Sequence, residues 1–427
     1  MADFLTSHDR AYLLAGMGLG KTSACAATAH ALHQEGACKG VLVVAPMRVA
    51  TLTWPNELRK WGFSQNWPVE SIRGKKPSGN SFLYTINYER LTELEDLSFC
   101  DTIIFDEITR AKNPQSSRIK HVRPLFRGHR RWGLTGTPRP NSLLELFAQV
   151  RLLDDGKRLG SSFSQFRDNY FTSDFMGYNW TPRPGAEEAI YKRIADLTLT
   201  LRTSDYTDTA DTVVEDVEVA LPPTVRAQYK ELERQLILSF PTGNVVASQA
   251  ATLVNKLLQI TGGTVYDENK GVIPVHDAKI EALKKLMKRH PDENVLVFTN
   301  YVHERERVVK ALGAVDAAKF KGDIEDAWNS GKIKVLVADP RSLGHGLNLQ
   351  VGGRIAAWYS PTYSRETYDQ ANARLARKGQ DRVPLVYRLI CSGTIDDAVI
   401  ECLHERGSEQ SSMLQTMVNL RRMNEVI

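Results

Sequence analysis

Leu13 to Thr22 reads L-L-A-G-M-G-L-G-K-T. Gly16, Gly18 and Gly20 follow a short apolar run, Ala11 to Ala15, and precede an Ala-rich stretch, Thr22 to Leu32, that lacks Pro and Gly. Strand, glycine loop and helix start, in that order, turn backbone N–H groups toward phosphate oxygens. Ala15, Gly16, Met17, Gly18, Leu19 and Gly20 would form the cradle. Lys21 would reach the β- and γ-phosphates of ATP, and the Thr22 hydroxyl would sit on Mg²⁺. The full pattern asks for Gly five residues before Gly20, where this chain has Ala15. A glycine-rich turn with a chance Gly-Lys-Thr is the other reading of this segment taken alone.

Thr102 to Glu107 reads T-I-I-F-D-E. Ile103 to Phe105 is a buried-strand run, with Asp106 and Glu107 at its C-terminal end. That edge of a parallel sheet is where ligands bind. One carboxylate can orient magnesium and its water, and the next can polarise the attacking water. Asp106 is assigned to the metal and Glu107 to the water. A solvated acidic pair is the alternative, weakened by the glycine loop before it and by Leu134-Thr135-Gly136-Thr137-Pro138 after it. A third piece, Gln370 to Gln380, reads Q-A-N-A-R-L-A-R-K-G-Q. It can deliver arginines to the same phosphates from another lobe, and the three together describe a motor that closes on ATP.

The elements that must position these pieces alternate. Val41 to Ala45, Phe82 to Ile86, Ile103 to Phe105 and Trp132 to Leu134 read as strands. Leu52 to Trp61, with Leu52, Leu58 and Trp61 on one face, reads as a helix, as does Asn141 to Leu152 with Leu143, Leu144, Phe147 and Val150 inward. That pattern predicts a doubly wound parallel sheet up to about residue 150. From about 155 to 285 the pattern suits protrusions rather than a sheet core. Phe163, Phe166, Tyr170 and Phe171 suit a helical hairpin, and Asp174 to Gly185 is loop-like. Glu187 to Leu201, Thr224 to Leu238 and Ser248 to Gln259 read as helices, and Thr212 to Leu221 as an exposed strand. A second alternating block starts with a helix over Ala278 to Lys288. Strands follow at Val295 to Thr299, Val335 to Ala338, Ile355 to Tyr359 and Val383 to Leu389. The expectation is two α/β lobes, which suits nucleotide held in a cleft.

The chain of 427 residues is long enough for two or three domains. Its net charge is 55 − 50 = +5, so any basic surface must be local, as at Arg73 to Lys76, Arg127 to Arg131 and Arg374 to Arg382. Each of these runs is more often a solvated face. Five cysteines are scattered and odd in number, and no C-x-x-C or Cys/His spacing suggests a zinc or disulfide framework, which fits a reducing, cytoplasmic setting. No signal peptide is visible, and no run approaches the roughly 18 apolar residues of a membrane helix.

These residues resemble the Swi/Snf-type DNA translocases of helicase superfamily two. A-G-M-G-L-G-K-T at 15–22 is similar to the first motif, and V-V-A-P-M-R-V at 43–49 with Trp54, Glu57 and Trp61 to the next. T-I-N-Y-E at 85–89, D-E-I-T-R-A-K-N at 106–113, L-T-G-T-P-R-P-N at 134–141 and L-R-T-S-D at 201–205 follow in the family's order. V-L-V-F-T-N-Y at 295–301, S-L-G-H-G-L-N-L at 342–349 and Gln370 to Gln380 resemble motifs four to six. The short second lobe looks most like compact members found in phages and prophages.

The resemblance implies two RecA-like lobes, 1–205 and 206–427, with helical protrusions from about 155 and to about 275. It implies ATP hydrolysis with Mg²⁺, driven by double-stranded DNA, and movement along the duplex. Arg374 and Arg377 would be arginine fingers sharing a helix face, with Gln370 helping to position them and Gly346 near the nucleotide. Pro46, Thr85, Thr137, Thr299 and Ser342 would touch DNA phosphates at strand ends, fixing register without reading sequence. The chain also departs from the family. The family's adenine-reading Gln lies ahead of the phosphate loop, and none of the residues before Lys21 is Gln. Ala15 and Gly16 stand for Asp-Glu, and Thr109 stands for the His of the acidic box. Ser360, Thr362 and Tyr363 stand in the Asp-Pro-Trp-Trp stretch. An RNA-directed helicase, or a non-catalytic DNA-binding adaptor on a motor fold, are the competing readings.

Overall fold

The computed structural model describes residues 1–63, 67–74, 76–136, 143–173, 180–201, 211–238, 247–267, 269, 271–343, 347–377 and 379–404. The chain divides into two units, Met1–Thr207 and Asp208–Ile427.

The first unit is built on seven parallel strands: β1 (Arg10–Ala15), β2 (Val41–Ala45), β3 (Val69–Ser71), β4 (Leu83–Asn87), β5 (Thr102–Asp106), β6 (Arg130–Thr135) and an edge strand, Thr198–Leu201. Their order across the sheet is β3-β4-β2-β5-β6-β1, with Thr198–Leu201 beyond β1. A parallel sheet covered on both faces needs strands that are apolar throughout, and β2 and β4 are buried at every position. One face packs Leu42, Val44, Tyr84, Phe105 and Ile103 against Phe147, Val150 and Ile190. The other packs Leu13, Val41, Val43 and Ile104 against Cys25, Ala29, Leu32, Trp54 and Leu58.

Two expectations need correction here. Glu187 to Leu201 is not one helix. The helix covers Ala186–Ile194, and Thr198–Leu201 pairs in parallel with β1 through Tyr12↔Thr198 to Ala15↔Leu201. The alternating Thr-Leu-Thr-Leu is β-branched at every second residue and finds an unpaired edge, so strand wins over continued helix. Leu52 and Trp61 do not face the core; they are 48% and 55% exposed, while Trp54 and Leu58 are buried. A five-residue π turn, Val49–Thr53, precedes the helix Trp54–Lys60 and shifts which positions point inward.

Two short strands, β7 (Phe171–Ser173) and β8 (Trp180–Pro182), form an antiparallel ribbon after the helix Phe163–Tyr170. Strand pairing thus replaces part of the expected loop after 174. Taking Thr198–Leu201 as β9, the second unit adds β10 (Val213–Glu218), β11 (Thr264–Tyr266), β12 (Val272–Pro274), β13 (Val295–Phe298), β14 (Val315–Asp316), β15 (Val335–Ala338), β16 (Ile355–Trp358) and β17 (Leu385–Ile390). Six of them form a parallel sheet in the order β10-β17-β16-β13-β15-β14. β10, read from sequence as part of a protrusion, is the edge of this sheet and pairs with β17 from Val213↔Leu385 to Glu218↔Ile390. The helices Pro223–Leu238 and Ala247–Thr261 bring Tyr229, Val254, Leu257 and Leu258 against Ile395, Ala398 and Val399.

Candidate active site

In the first unit, β1, β6 and β5 are neighbours, with Leu14 opposite Thr135 and Asp106 opposite Leu134. Their C-terminal ends therefore lie side by side. β1 runs into the glycine loop, whose start is pinned by the Gly16 N–H to Leu201 O at 2.9 Å. Gly18 and Gly20 take φ of 80° and 75°, a conformation open chiefly to glycine. Gly20 is the N-cap of the helix Lys21–Gln34. Lys21 Nζ donates to Ala15 O at 2.7 Å and to Gly16 O at 3.0 Å, so the ammonium stays on the loop. The Thr22 side chain is partly exposed on the first turn. Gly136, just past β6, closes on this loop: a Cβ there would stand 3.0 Å from Met17 Cγ and 3.9 Å from Lys21 Nζ.

Asp106 ends β5. Its Oδ2 accepts from the Trp54 indole at 2.9 Å, and its carbonyl accepts from the Tyr88 hydroxyl at 3.1 Å. Burial pushes the Asp106 carboxyl up to about 6, against the pull of the Trp54 hydrogen bond. Burial, with the charges of Asp106 and Glu107, holds the Tyr88 phenol well above its ordinary range, so it stays a donor. Glu107 follows in the left-handed region, φ 56°, ψ 57°. Its Oε1 accepts from Thr109 Oγ1 at 2.9 Å and Thr135 Oγ1 at 3.3 Å. A glycine loop, an ammonium, a hydroxyl and two carboxylates thus share one sheet edge. Such a set of groups can bind phosphate oxygens, hold a divalent cation and polarise a water.

The second unit places the third piece differently from the expectation. The helix Arg365–Asn372 carries Gln370, but it ends before Arg374 and Arg377, which stand in the turns beyond it and do not share a helix face. Gln370 Nε2 donates to Glu366 Oε1 at 3.0 Å. Arg374 is 9% exposed; its Nη1 donates to Leu347 O and its Nε to Gln370 O, each at 3.2 Å. Arg377 is partly exposed and donates through Nη1 to Asn348 Oδ1 at 2.6 Å. Asn348 in turn donates through its N–H and its side chain to Glu325 at 3.0 and 3.2 Å.

Pro46 follows β2 and is buried. Thr299 follows β13 and is also buried, its Oγ1 without a partner among the described residues. Ser342 is exposed in the short helix after β15, its hydroxyl turned onto Asp339 O at 2.9 Å. Thr85 is not at a strand end: it is the third of the β4 residues and is fully buried. Thr137 and Gly346 lie outside the described residues. Sequence reasoning missed the braces on the acidic pair. Trp54 and Thr109 were visible as motif positions and Thr135 as part of a motif, yet their hydrogen bonds were not.

A family model described as the SNF2-related domain matches residues 5–235. Protein p41 of Acyrthosiphon pisum secondary endosymbiont phage 1 is 33% identical over 96% of this chain and 95% of its own length. The human DNA repair and recombination protein RAD54B is 24% identical over 96% of this chain and 52% of its own. The Bacillus subtilis protein YwqA is 24% identical over 94% of this chain and 46% of its own. This chain spans about half the length of those two cellular proteins. A solved SWI2/SNF2 ATPase core of Sulfolobus solfataricus in complex with dsDNA aligns over 100% of this chain and 94% of that one, at 21% identity and a TM-score of 0.45.

Proposed function

This chain belongs to the SNF2-related family, and on that premise we propose that it is a DNA-dependent ATPase coupling ATP hydrolysis to movement along double-stranded DNA, in phage-encoded DNA metabolism or remodelling. The observation that carries this reading is the placement of Lys21 after β1 and of Asp106 and Glu107 at the end of β5, on either side of β6 at one edge of the sheet, with Glu107 braced by Thr109 and Thr135.

In this reading the backbone of Ala15 to Gly20 and the Lys21 ammonium hold the phosphates of ATP. Glu107 takes a proton from the attacking water. Gln370, Arg374 and Arg377 are proposed to answer the charge that develops on the phosphoryl group, and Gly346 to bind the nucleotide. The residues fit magnesium. The Thr22 hydroxyl and the Asp106 carboxylate are hard oxygen donors, and no group of three or more His, Cys, Asp or Glu forms a cage among the described residues. That suits an ion held by one or two protein ligands that keeps its waters. When bound, magnesium neutralises phosphate charge.

Pro46, Thr137, Thr299 and Ser342 are proposed to meet duplex phosphates. Such contacts carry no base readout and weaken steeply with salt. The cytoplasm is the proposed setting. Five free, buried cysteines agree with it, and no helix among the described residues is long and apolar enough to cross a membrane.

The test is steady-state ATP hydrolysis without nucleic acid and with single-stranded DNA, duplex DNA or RNA, beside Lys21→Ala. Duplex-selective stimulation that Lys21→Ala abolishes is expected. No response to duplex at low salt would overturn the reading, and an RNA-selective response would put the RNA-directed helicase in its place.

A further inference from the structure

Trp54 stands between the segment after β2 and the acidic pair. It is fully buried, and its indole N–H reaches Asp106 Oδ2 at 2.9 Å. The π turn Val49–Thr53 aims it, and the Trp54 N–H closes that turn onto Val49 O. A π turn carries one residue more than an α turn, and such turns gather at functional sites. This one leaves Arg48 Nε and Thr53 Oγ1 buried without partners among the described residues. Native structures seldom carry such atoms without a reason.

The same turn walls a groove of about 360 Å³. Ala50 and Thr51 come from the turn, and Pro55 is the residue after Trp54. Arg59 and Arg73 supply two guanidinium groups, and Thr85, whose buried Oγ1 also lacks a partner among the described residues, lines it as well. The two guanidinium groups suit a phosphodiester oxyanion; the Thr51 hydroxyl already donates to Met47 O at 2.9 Å.

We propose that Trp54 is a positioning residue. It holds Asp106 in place for magnesium, and through the π turn it makes that hold depend on a duplex phosphate in the groove. The proposal rests on the reading of the chain as a DNA-dependent ATPase. A phosphate drawn to Arg59 pulls on the helix Trp54–Lys60 and, through it, on the turn. Trp54 lies between them in the chain, so its indole moves with the turn. Partners of a metal ligand tune affinity or activity by about 10–100-fold when removed.

The experiment compares the unaltered full chain with Trp54→Phe, which keeps an aromatic ring and loses the donor. Fluorescent ADP binding is titrated with Mg²⁺, with and without duplex, beside steady-state ATP hydrolysis. In the unaltered chain, duplex is expected to lower the Mg²⁺ concentration at half-saturation. In Trp54→Phe that concentration rises about tenfold and no longer responds to duplex. kcat falls, KM for ATP changes little, and magnesium-free ADP binding persists. A Trp54→Phe chain that keeps the full duplex-dependent shift overturns the role of Trp54 alone. Loss of magnesium-free ADP binding would make Trp54 a packing residue and also overturn it. An unaltered chain that ignores duplex in both readouts overturns the DNA-dependent reading and the groove's part with it.

Discussion

The Thr109 hydroxyl donates to Glu107 Oε1 at 2.9 Å, across a backbone that holds Glu107 at φ 56°. Thr135 reaches the same oxygen from β6 at 3.3 Å. A left-handed non-glycine residue costs on the order of 1–2 kcal/mol and persists where its surroundings over-determine it. Here two hydroxyls from different segments do so. One carboxylate oxygen is occupied, and the geometry of the other follows from it.

Thr109→Val keeps the shape of the side chain and deletes the donor. A hydrogen bond to a charged group contributes about 1.5–3 kcal/mol, so kcat is expected to fall about tenfold with KM for ATP little changed. Thr109→Ser should recover most of the rate. Steady-state kinetics on the pair checks this; equal losses in Ser and Val would show that the threonine methyl, not the hydroxyl, matters.

In the second unit, Lys279 Nζ and Asp396 Oδ2 meet at 2.6 Å with both side chains fully buried. Burial works most strongly against the Lys279 charge, but Asp396, Cys391 and Glu304 together raise the ammonium's pKa. Asp396 also accepts from Thr261 Oγ1 at 2.8 Å and from the Cys391 N–H at 3.0 Å. Asp396→Ala strands a buried cation and should destabilise the unit by about 3–5 kcal/mol. The double change Lys279→Met, Asp396→Leu should lose less than Asp396→Ala alone. Denaturant unfolding of both checks the order, and the reverse order would refute the account.

The glycine loop and the acidic pair are legible in sequence because each is a local pattern at a strand end. The seven-residue span from Gly16 to Thr22 needs no distant partner to be recognised. The braces are not local. Trp54 meets Asp106 from 52 positions away, and Thr135 meets Glu107 from 28; no periodicity encodes either bond. Thr198–Leu201 was misread because an amphipathic helix runs straight into it, and only the open edge of β1 turns it into strand. Arg374 and Arg377 were placed on one helix face because their spacing is helical. The chain instead tightens past Ala373, where the Arg374 N–H closes onto Ala371 O three residues back, and the Arg374 side chain is drawn to the Leu347 carbonyl. Thr212 to Leu221 is legible as an exposed strand, but its place on the edge of the second sheet is not, because that rests on pairing with β17 from far along the chain.

His303 and Glu304 are neighbours on the helix Val302–Leu312, and their shifts act on stability in opposite directions as pH changes. Burial, with Arg307 nearby, lowers the His303 imidazole from 6.5 to about 4. Burial raises the Glu304 carboxyl from 4.5 to about 7, with Ser360 and Lys279 pulling the other way. Between about 4 and 6.5 the unfolded chain binds the extra His303 proton, so that term makes stability rise with pH. Between 4.5 and about 7 the folded chain keeps the extra Glu304 proton, so that term makes stability fall as pH rises. Relative to the unaltered chain, His303→Gln should lose stability as pH rises through this range, and Glu304→Gln should gain it. Melting temperatures across pH check the signs, and parallel curves for all three chains would discard the opposition.

Arg374 and Arg377 carry different expected roles because their surroundings differ. Arg374 is nearly enclosed, and its guanidinium satisfies Leu347 O and Gln370 O. The Arg374 carbonyl accepts from the Leu349 N–H, so this residue ties the segment after β15 to the end of the helix Arg365–Asn372. Removing it leaves buried carbonyls unsatisfied, at about 1–3 kcal/mol each. Arg377 is partly exposed and rests on Asn348, which Glu325 holds from behind. Arg374→Ala is therefore expected to lower the melting temperature as well as activity. Arg377→Ala should leave melting nearly unchanged and cut kcat by about 10³ or more, the scale of a lost arginine that answers phosphoryl charge. Asn348→Ala should fall between them in kcat, because it frees Arg377 to leave its place without removing it. Melting curves beside single-turnover hydrolysis separate the three. An Arg377→Ala chain with unchanged kcat would end its assignment to phosphoryl charge and leave Arg374 as a clamp alone.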